Sequence, residues 1–168
     1  MRFAGKLAAT MQMRYPYVNP PGFPRGDYRR LGMTTDNTWD AILAGERTAT
    51  TRLPVWYKNN PQQLETIKSL RPGDHVAFTK GNDRMIVEVQ PSKLSTQQME
   101  MASNHPALSN LQGATYALSK DKMLSLDPRA EAYRKRWSEL EGWDESLIPH
   151  LWNKEPTGIL YQFQYKPI

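Results

Sequence analysis

The segment from Gly45 to Arg52 places several residues that could bind an anion within eight positions. It contains three threonine hydroxyls and two arginine guanidiniums directly after a glycine. Backbone amides after a glycine turn, hydroxyl donors and a forked cation together suit a phosphate group or the edge of a nucleobase. The candidate binding residues are Arg47, Thr48, Thr50 and Arg52. The alternative is a threonine-rich edge strand with solvated arginines, and the pattern alone allows both.

Glu141 is a second candidate, for acid–base chemistry. It follows Tyr133 by eight residues and Trp137 by four, so a helix would place it beside an aromatic stripe. A carboxylate on an apolar stripe is partly desolvated, which raises its pKa towards the range that is useful for proton transfer. Trp143 follows it closely, so two indoles bracket the carboxylate. The alternative is a helix-end glutamate paired to a nearby arginine, because the helix dipole disfavours an unpaired acid there.

The residue types that the chain lacks exclude several other chemistries. Without any cysteine, disulfides, thiolate nucleophiles and cysteine-ligated metals are excluded. The three histidines are scattered and form no His-x-x-x-His pair, so we expect neither a metal nor another cofactor. The sequence contains no phosphate-binding glycine loop, no dinucleotide fingerprint and no serine nucleophile elbow. Nucleotide or RNA binding remains, with or without hydrolysis.

The charge and hydropathy of the chain indicate its partners. With 22 Lys and Arg against 17 Asp and Glu, the net charge is +5 over 168 residues, which favours polyanions such as RNA. A solvated basic surface without a partner would give the same count. No apolar run approaches the roughly 20 residues that a membrane helix needs, so we expect no membrane partner. Without cysteine or a secretory signal, a cytoplasmic location is the expectation.

Apolar spacing and turn residues predict the elements that must position these side chains. The first predicted helix runs from a cap at Asn37 or Thr38 to a stop at Gly45, with Trp39, Ile42 and Leu43 as its apolar face. Three more helices are predicted, over Pro61–Leu70, from Asp127–Pro128 to a stop at Gly142, and over Glu145–Leu151. The predicted strands are Thr48–Thr51, His75–Thr79, Arg84–Val89 and Thr157–Tyr165. A turn at Lys80–Asp83 joins the second strand to the third.

The remaining regions are less regular. Prolines interleaved with tyrosines and arginines between Met11 and Gly32 predict an extended arm, whose aromatic residues either stack on bases or anchor the arm. Residues 96–126 predict a long loop or short helices. We therefore predict one α+β domain, a small curved mixed sheet closing towards a β-barrel and flanked by short helices. An N-terminal arm over residues 1–34 would pack on a body over 35–168, with a long insertion at about 91–127.

Four stretches occur in the order found in a known family. They are residues 42–52, the Pro-Gly-Asp turn within 71–76, the helix end over 137–143, and the terminal strand at 161–163. Together they resemble the ASCH domain of the PUA-like superfamily. The resemblance implies a PUA-like β-barrel with a cleft in which the Gly-Glu-Arg-Thr loop faces the helix-end acid.

Characterised relatives in that family include a ribonuclease and an amidohydrolase that deacetylates acetylated cytidine. The amidohydrolase resembles this chain at Thr50, its nucleophile position, and at Glu141, its acid. It has lysine where this chain has Arg47, and an arginine stays charged and cannot act as a base. The deacetylation chemistry therefore does not carry over whole.

Two hypotheses follow. In the first, the protein is a binding module: Arg47, Thr50 and Arg52 hold a nucleotide or an RNA end, and Tyr15 or Trp56 stacks on a base. In the second, it is a hydrolase, either a metal-independent ribonuclease or a nucleoside amidohydrolase. Glu141 would then be the acid or base, Thr50 would supply a hydroxyl, and Arg47 would stabilise developing charge. The sequence leaves the oligomeric state open.

Overall fold

The fold is organised around one strand, β6 (Ile159–Pro167), whose first seven side chains are all buried. The protein is described by a computed structural model that covers residues 5–12, 35–91, 114–120, 128–141, 148–149, 152 and 155–168. In β6, aromatic residues alternate with Leu160, Gln162 and Gln164. Since successive side chains of a strand point to opposite faces, the aromatic residues share one face and the glutamines share the other.

Six described strands form a curled, mixed sheet like half of a barrel. The order along the sheet is β1-β3-β4-β6-β2, and β5 also pairs with β6. Only β1 and β3 run parallel. The other strands are β1 (Ala9–Gln12), β2 (Ala49–Arg52), β3 (His75–Lys80), β4 (Asp83–Gln90) and β5 (Tyr116–Ser119).

The two edges of β6 are used differently. One edge pairs with β5 along its first half and with β4 along its second half, and the other edge pairs with β2. Gln162 therefore lies directly between Thr51 of β2 and Tyr116 of β5. Directly opposed residues of antiparallel strands project to the same face, so these three side chains form one row across the sheet.

Helices cover both faces of the sheet. The first two helices, α1 (Thr35–Leu43) and α2 (Pro61–Lys68), contribute Ile42 and Ile67 to the main apolar core on the aromatic face of β6. The third, α3 (Pro128–Glu141), lies on the glutamine face, where the side chain of Glu141 bonds to β2 and β6. A short 3₁₀ turn over Pro54–Tyr57 joins β2 to α2. The predicted α+β class, with a curved mixed sheet flanked by short helices, is confirmed.

Several predicted boundaries differ from the structure. The first helix begins at Thr35, before the predicted caps, and Leu43 is 60% exposed, so it does not share the buried face of Ile42. Strand β6 begins two residues later than predicted, because the chain turns at Gly158 with a φ of 68°. Strands β1 and β5 were not predicted, since each has only four residues and no clear alternation.

Some predictions lie outside the described residues. These are the course of the arm over 13–34, the caps at Asp127 and Gly142, and most of the helix at 145–151, of which only 148–149 are described, as helical. The division into an arm over 1–34, a body over 35–168 and an insertion at about 91–127 stays a prediction. Residues 9–12 of that arm belong to the sheet, and so do residues 116–119 of that insertion.

The turn after α1 sets the start of the Gly45–Arg52 segment. Gly45 has a φ of 76°, and its N–H donates to the carbonyl of Ile42 at 3.1 Å. The N–H of Glu46 donates to the carbonyl of Ala41 at 2.8 Å. This pair of bonds is the Schellman arrangement, in which a glycine in the left-handed region satisfies the last helical carbonyls. The predicted glycine stop is therefore confirmed.

We expect Gly45→Ala to lower the free energy of unfolding by about 1 kcal/mol, because a Cβ is unfavourable at this φ although no atom lies within 4 Å of its position. Gly45→Asn is the matched control and should cost less, since asparagine tolerates the left-handed region. Urea unfolding of both variants measures the difference. Equal stability of the two variants would contradict the role given to this φ.

Candidate functional site

The strand β2 and the residues before it are fixed between α3 and β6 by the backbone of Thr48. Its N–H donates to the carbonyl of Leu140 at 3.0 Å, and its own carbonyl accepts from the N–H of Tyr165 at 3.0 Å. The last carbonyls of a helix have no partner within the helix, so this bond satisfies one of them. The same bond brings the segment alongside the end of α3, where Glu141 is.

Glu141 lies in a buried hydrogen-bond network, with 4% of its surface exposed. The hydroxyl of Thr51 and the side-chain amide of Gln162 both donate to its Oε1, the amide at 3.1 Å. The indole N–H of Trp137 donates to the hydroxyl oxygen of Thr51 at 3.1 Å. These bonds join β2, β6 and α3 through polar side chains, in a place where an unpaired polar group would be costly.

The network continues along the glutamine face of the sheet. The hydroxyl of Tyr116 donates to Oε1 of Gln162, and it accepts from Nε2 of Gln164 at 3.3 Å. Nε2 of Gln162 also donates to the carbonyl of Trp137 at 3.3 Å. Burial raises the pKa of Tyr116 well above its usual range, so this hydroxyl keeps its proton. The tyrosine is thus both a donor and an acceptor in the chain of bonds.

The environment of Glu141 raises the pKa of its carboxyl from 4.5 to about 7. Desolvation by burial is the largest cause, and it acts against the charged form. Hydrogen bonds from Thr51 and Gln162, and the charges of Arg47 and Arg52, lower the pKa by smaller amounts. The carboxyl therefore changes its charge close to neutral pH, as the aromatic stripe predicted.

Arg47 and Arg52 are both buried, at 7% and 4% exposure, although the alternative interpretation had them solvated. Nη1 of Arg52 donates to the backbone carbonyl of Gln12 at 3.2 Å. Gln12 belongs to β1 and Arg52 to β2, the two end strands of the sheet order, so this side chain bridges the open seam of the half-barrel. Its Nε is buried without a hydrogen-bond partner among the described residues.

The structure does not bring all the predicted site residues together. Thr50 is half-buried and lies opposite Phe163, so it projects to the aromatic face, and its neighbour Thr51 contacts Glu141 instead. Arg52 lies opposite Tyr161 and so projects to the aromatic face as well, yet its charge lowers the pKa of Glu141. Trp56 is half-buried and packs against the main core. Tyr15 and Trp143 lie outside the described residues.

Sequence reasoning missed Thr51, Gln162 and Tyr116 as members of this site. A signal for Gln162 was present, because a glutamine between aromatic residues in a strand buried on both faces must find hydrogen-bond partners. No comparable signal selects Thr51 over Thr50, since the choice depends on which face of β2 meets α3.

In the described ranges, no three His, Asp or Glu side chains lie together in a way that could hold a metal ion. Within those same ranges, no helix combines the length and the apolar character that crossing a membrane requires.

Comparison with known proteins gives one likeness to report. No family model matches the chain, and no curated protein matches it. Among solved structures, it is similar to the crystal structure of an ASCH domain from Lactobacillus crispatus JV V101, with 19% identity and a TM-score of 0.33, covering 96% of this chain and 80% of that chain. At this identity and TM-score, the likeness assigns no role to any residue.

The raised pKa of Glu141 makes stability depend on pH. The pKa of the carboxyl is higher in the folded state than its unfolded value of 4.5. Its contribution to the free energy of unfolding is therefore fully present below about pH 4.5 and is lost as the pH rises through about 7. The shift corresponds to roughly 3 kcal/mol. We therefore expect wild type to lose about this much free energy of unfolding, relative to Glu141→Gln, between about pH 5 and pH 8.

Urea unfolding of both proteins across this range is the measurement. Glu141→Gln is a matched control because its amide oxygen can accept the same two hydrogen bonds as the protonated acid and cannot ionise. Parallel stability curves for the two proteins would contradict the assignment of a titrating carboxyl to this position.

Proposed function

We propose that this protein is a nucleotide- or RNA-binding domain whose site lies along residues 47–52 and the end of α3. The observation that carries the proposal is the burial of two guanidiniums, Arg47 and Arg52, close enough to Glu141 to act on its pKa. Guanidiniums are the preferred partners of phosphate groups, since their N–H donors match pairs of phosphate oxygens. A binding role for this segment accounts for its arginines better than a solvated edge strand does.

The charge near the site supports an anionic ligand. Arg47 and Arg52 each carry a guanidinium cation, whereas Glu141 is partly neutral near pH 7. These three side chains together therefore carry between +1 and +2 charges, that is, two cations with or without one carboxylate. The net charge of +5 on the whole chain acts in the same direction, by favouring contact with a phosphate backbone.

We expect Arg47→Ala to weaken binding of a labelled single-stranded RNA and to reduce the slope of log K against log salt by about 1, as the loss of one phosphate contact does. Fluorescence anisotropy at about pH 6 and several salt concentrations measures both quantities.

Arg129→Ala is the matched control for charge. Arg129 is exposed in the first turn of α3, twelve residues before Glu141 and so roughly 18 Å away along the helix axis. Its loss removes the same charge without touching the site. If both variants lose the same RNA affinity, general surface charge explains the binding. If wild type shows no salt-sensitive RNA binding, the proposal is eliminated.

A second candidate function is hydrolysis, and one specific observation favours it. The hydroxyl of Thr51 donates to a carboxylate whose pKa is about 7, and a hydroxyl beside such a base is the arrangement of an activated nucleophile. Glu141 could take the Thr51 proton as the oxygen attacks the carbonyl of an acetylated nucleoside, then pass that proton to the leaving amine; water would release the acyl group. In a ribonuclease, Glu141 would instead accept the proton of the RNA 2′-hydroxyl.

A substrate panel separates the two functions. Labelled RNA and acetylated cytidine are incubated with wild type, Glu141→Gln and Thr51→Val, in EDTA at about pH 7. If the protein is a hydrolase, Glu141→Gln should abolish turnover and leave RNA affinity at about pH 6 within about twofold, because the glutamine mimics the protonated acid. An amidohydrolase should also lose activity in Thr51→Val. Turnover of neither substrate by wild type would eliminate both hydrolase candidates and leave the binding proposal standing.

A further inference from the structure

Both hydrogen bonds that described residues donate to Glu141 end on the same oxygen, Oε1. Two chains of donors lead to this atom. One starts at the indole of Trp137 and passes through Thr51, and the other starts at Gln164 and passes through Tyr116 and Gln162.

The first chain has a fixed direction because an indole N–H can only donate. Trp137 therefore occupies a lone pair of the Thr51 oxygen, and the single hydroxyl proton of Thr51 is left for Oε1 of Glu141. Among the described residues, the Thr51 hydroxyl has no other acceptor in the network.

The second chain has the same direction. The amide nitrogen of Gln162 faces two acceptors, Oε1 of Glu141 and the carbonyl of Trp137, while its oxygen faces the hydroxyl of Tyr116. A reversed amide would place an oxygen against the carboxylate and a nitrogen against a donor. Tyr116 and the carbonyl of Trp137 therefore together hold Gln162 in the orientation that donates to Oε1.

From these contacts we infer that Glu141 acts on its ligand through Oε2 alone, and that Gln162, held by Tyr116, is a positioning residue that reserves this atom. The inference rests on the proposed binding function. The oxygen that accepts two hydrogen bonds is the carbonyl oxygen of the neutral acid, so the proton of neutral Glu141 is on Oε2. There it can be donated to a phosphate or carbonyl oxygen of the ligand. In the ionised state, Oε2 repels that same oxygen.

The consequence is a ligand affinity that falls with rising pH. The titratable and charged groups around Glu141 in the described structure are the guanidinium cations of Arg47 and Arg52, and Tyr116 and Tyr165, whose pKa values are raised by burial. Glu141 is therefore the group in this set that changes charge between about pH 5 and pH 9. RNA affinity should drop about tenfold or more as the pH rises through the titration midpoint of Glu141, because a hydrogen bond to an anion is replaced by repulsion.

Tyr116→Phe tests the second chain of donors without changing Glu141. It removes the hydroxyl that orients Gln162, so the hydrogen bond from Gln162 to the ionised carboxylate is weakened. The titration midpoint of the Glu141 carboxyl should therefore rise by about half to one pH unit. Tyr133→Phe is the matched control, because the Tyr133 hydroxyl is also buried beside Trp137 but donates to the carbonyl of Ala117, outside both chains.

The experiment records two profiles for wild type, Tyr116→Phe and Tyr133→Phe. One is the NMR titration of the Glu141 ¹³C carboxyl signal, and the other is the affinity for a single-stranded RNA against pH. We expect Tyr116→Phe to raise both midpoints together and Tyr133→Phe to move neither. We also expect Glu141→Gln to hold RNA affinity at its low-pH level across the range.

Each outcome decides something different. RNA binding without a pH dependence that follows Glu141 would overturn the inference and leave the binding proposal intact. An unchanged carboxyl midpoint in Tyr116→Phe would overturn the positioning role of Gln162, whether or not RNA binds. If no protein binds RNA at any pH, the proposed function has failed and the action on that ligand through Oε2 fails with it, whereas the NMR profile still decides the positioning role.

Discussion

The desolvation of Glu141 is the constraint on which the rest of the site depends. A carboxylate removed from water is costly unless donors compensate it, and full compensation would return its pKa to an ordinary value. Thr51 and Gln162 compensate it in part, so the pKa settles at about 7 and the group is poised between two charge states. The two neighbouring arginines add a smaller opposing effect. A buried carboxyl in this condition is expected at functional sites, where perturbed pKa values concentrate.

The sheet topology makes this arrangement physically attainable. Because β6 pairs with β2 on one edge and with β5 on the other, it brings Thr51 and Tyr116 to either side of Gln162. α3 then lies over that row and supplies Trp137 and Glu141. Segments that are far apart in the chain thus form one polar layer, while the opposite face of β6 belongs to the apolar core with Phe163 and Tyr165. The fold separates a chemically polar face from a structural apolar face of the same strand.

Local signals explain which parts of this structure the sequence could predict. The glycine stop at Gly45, the β3–β4 hairpin and the helix starting at Pro128 depend on neighbouring residues, and all three occur in the structure. The partner of Glu141 could not be predicted in this way, since Thr51 is 90 residues distant and the contact depends on the register of β2 against β6. A shift by one residue exchanges the faces of Thr50 and Thr51. Glu141 itself could be identified because its aromatic stripe is encoded within one helix.

The central claim is that Glu141 is a buried carboxyl that keeps its proton up to about neutral pH. An infrared difference spectrum between wild type and Glu141→Gln, recorded across about pH 5 to 9, observes the protonated group directly through its carbonyl band. The structure predicts that this band is present at about pH 5 and disappears with a midpoint of about 7. A band that is already lost at about pH 5.5, as for an ordinary solvated glutamate, would contradict the claim.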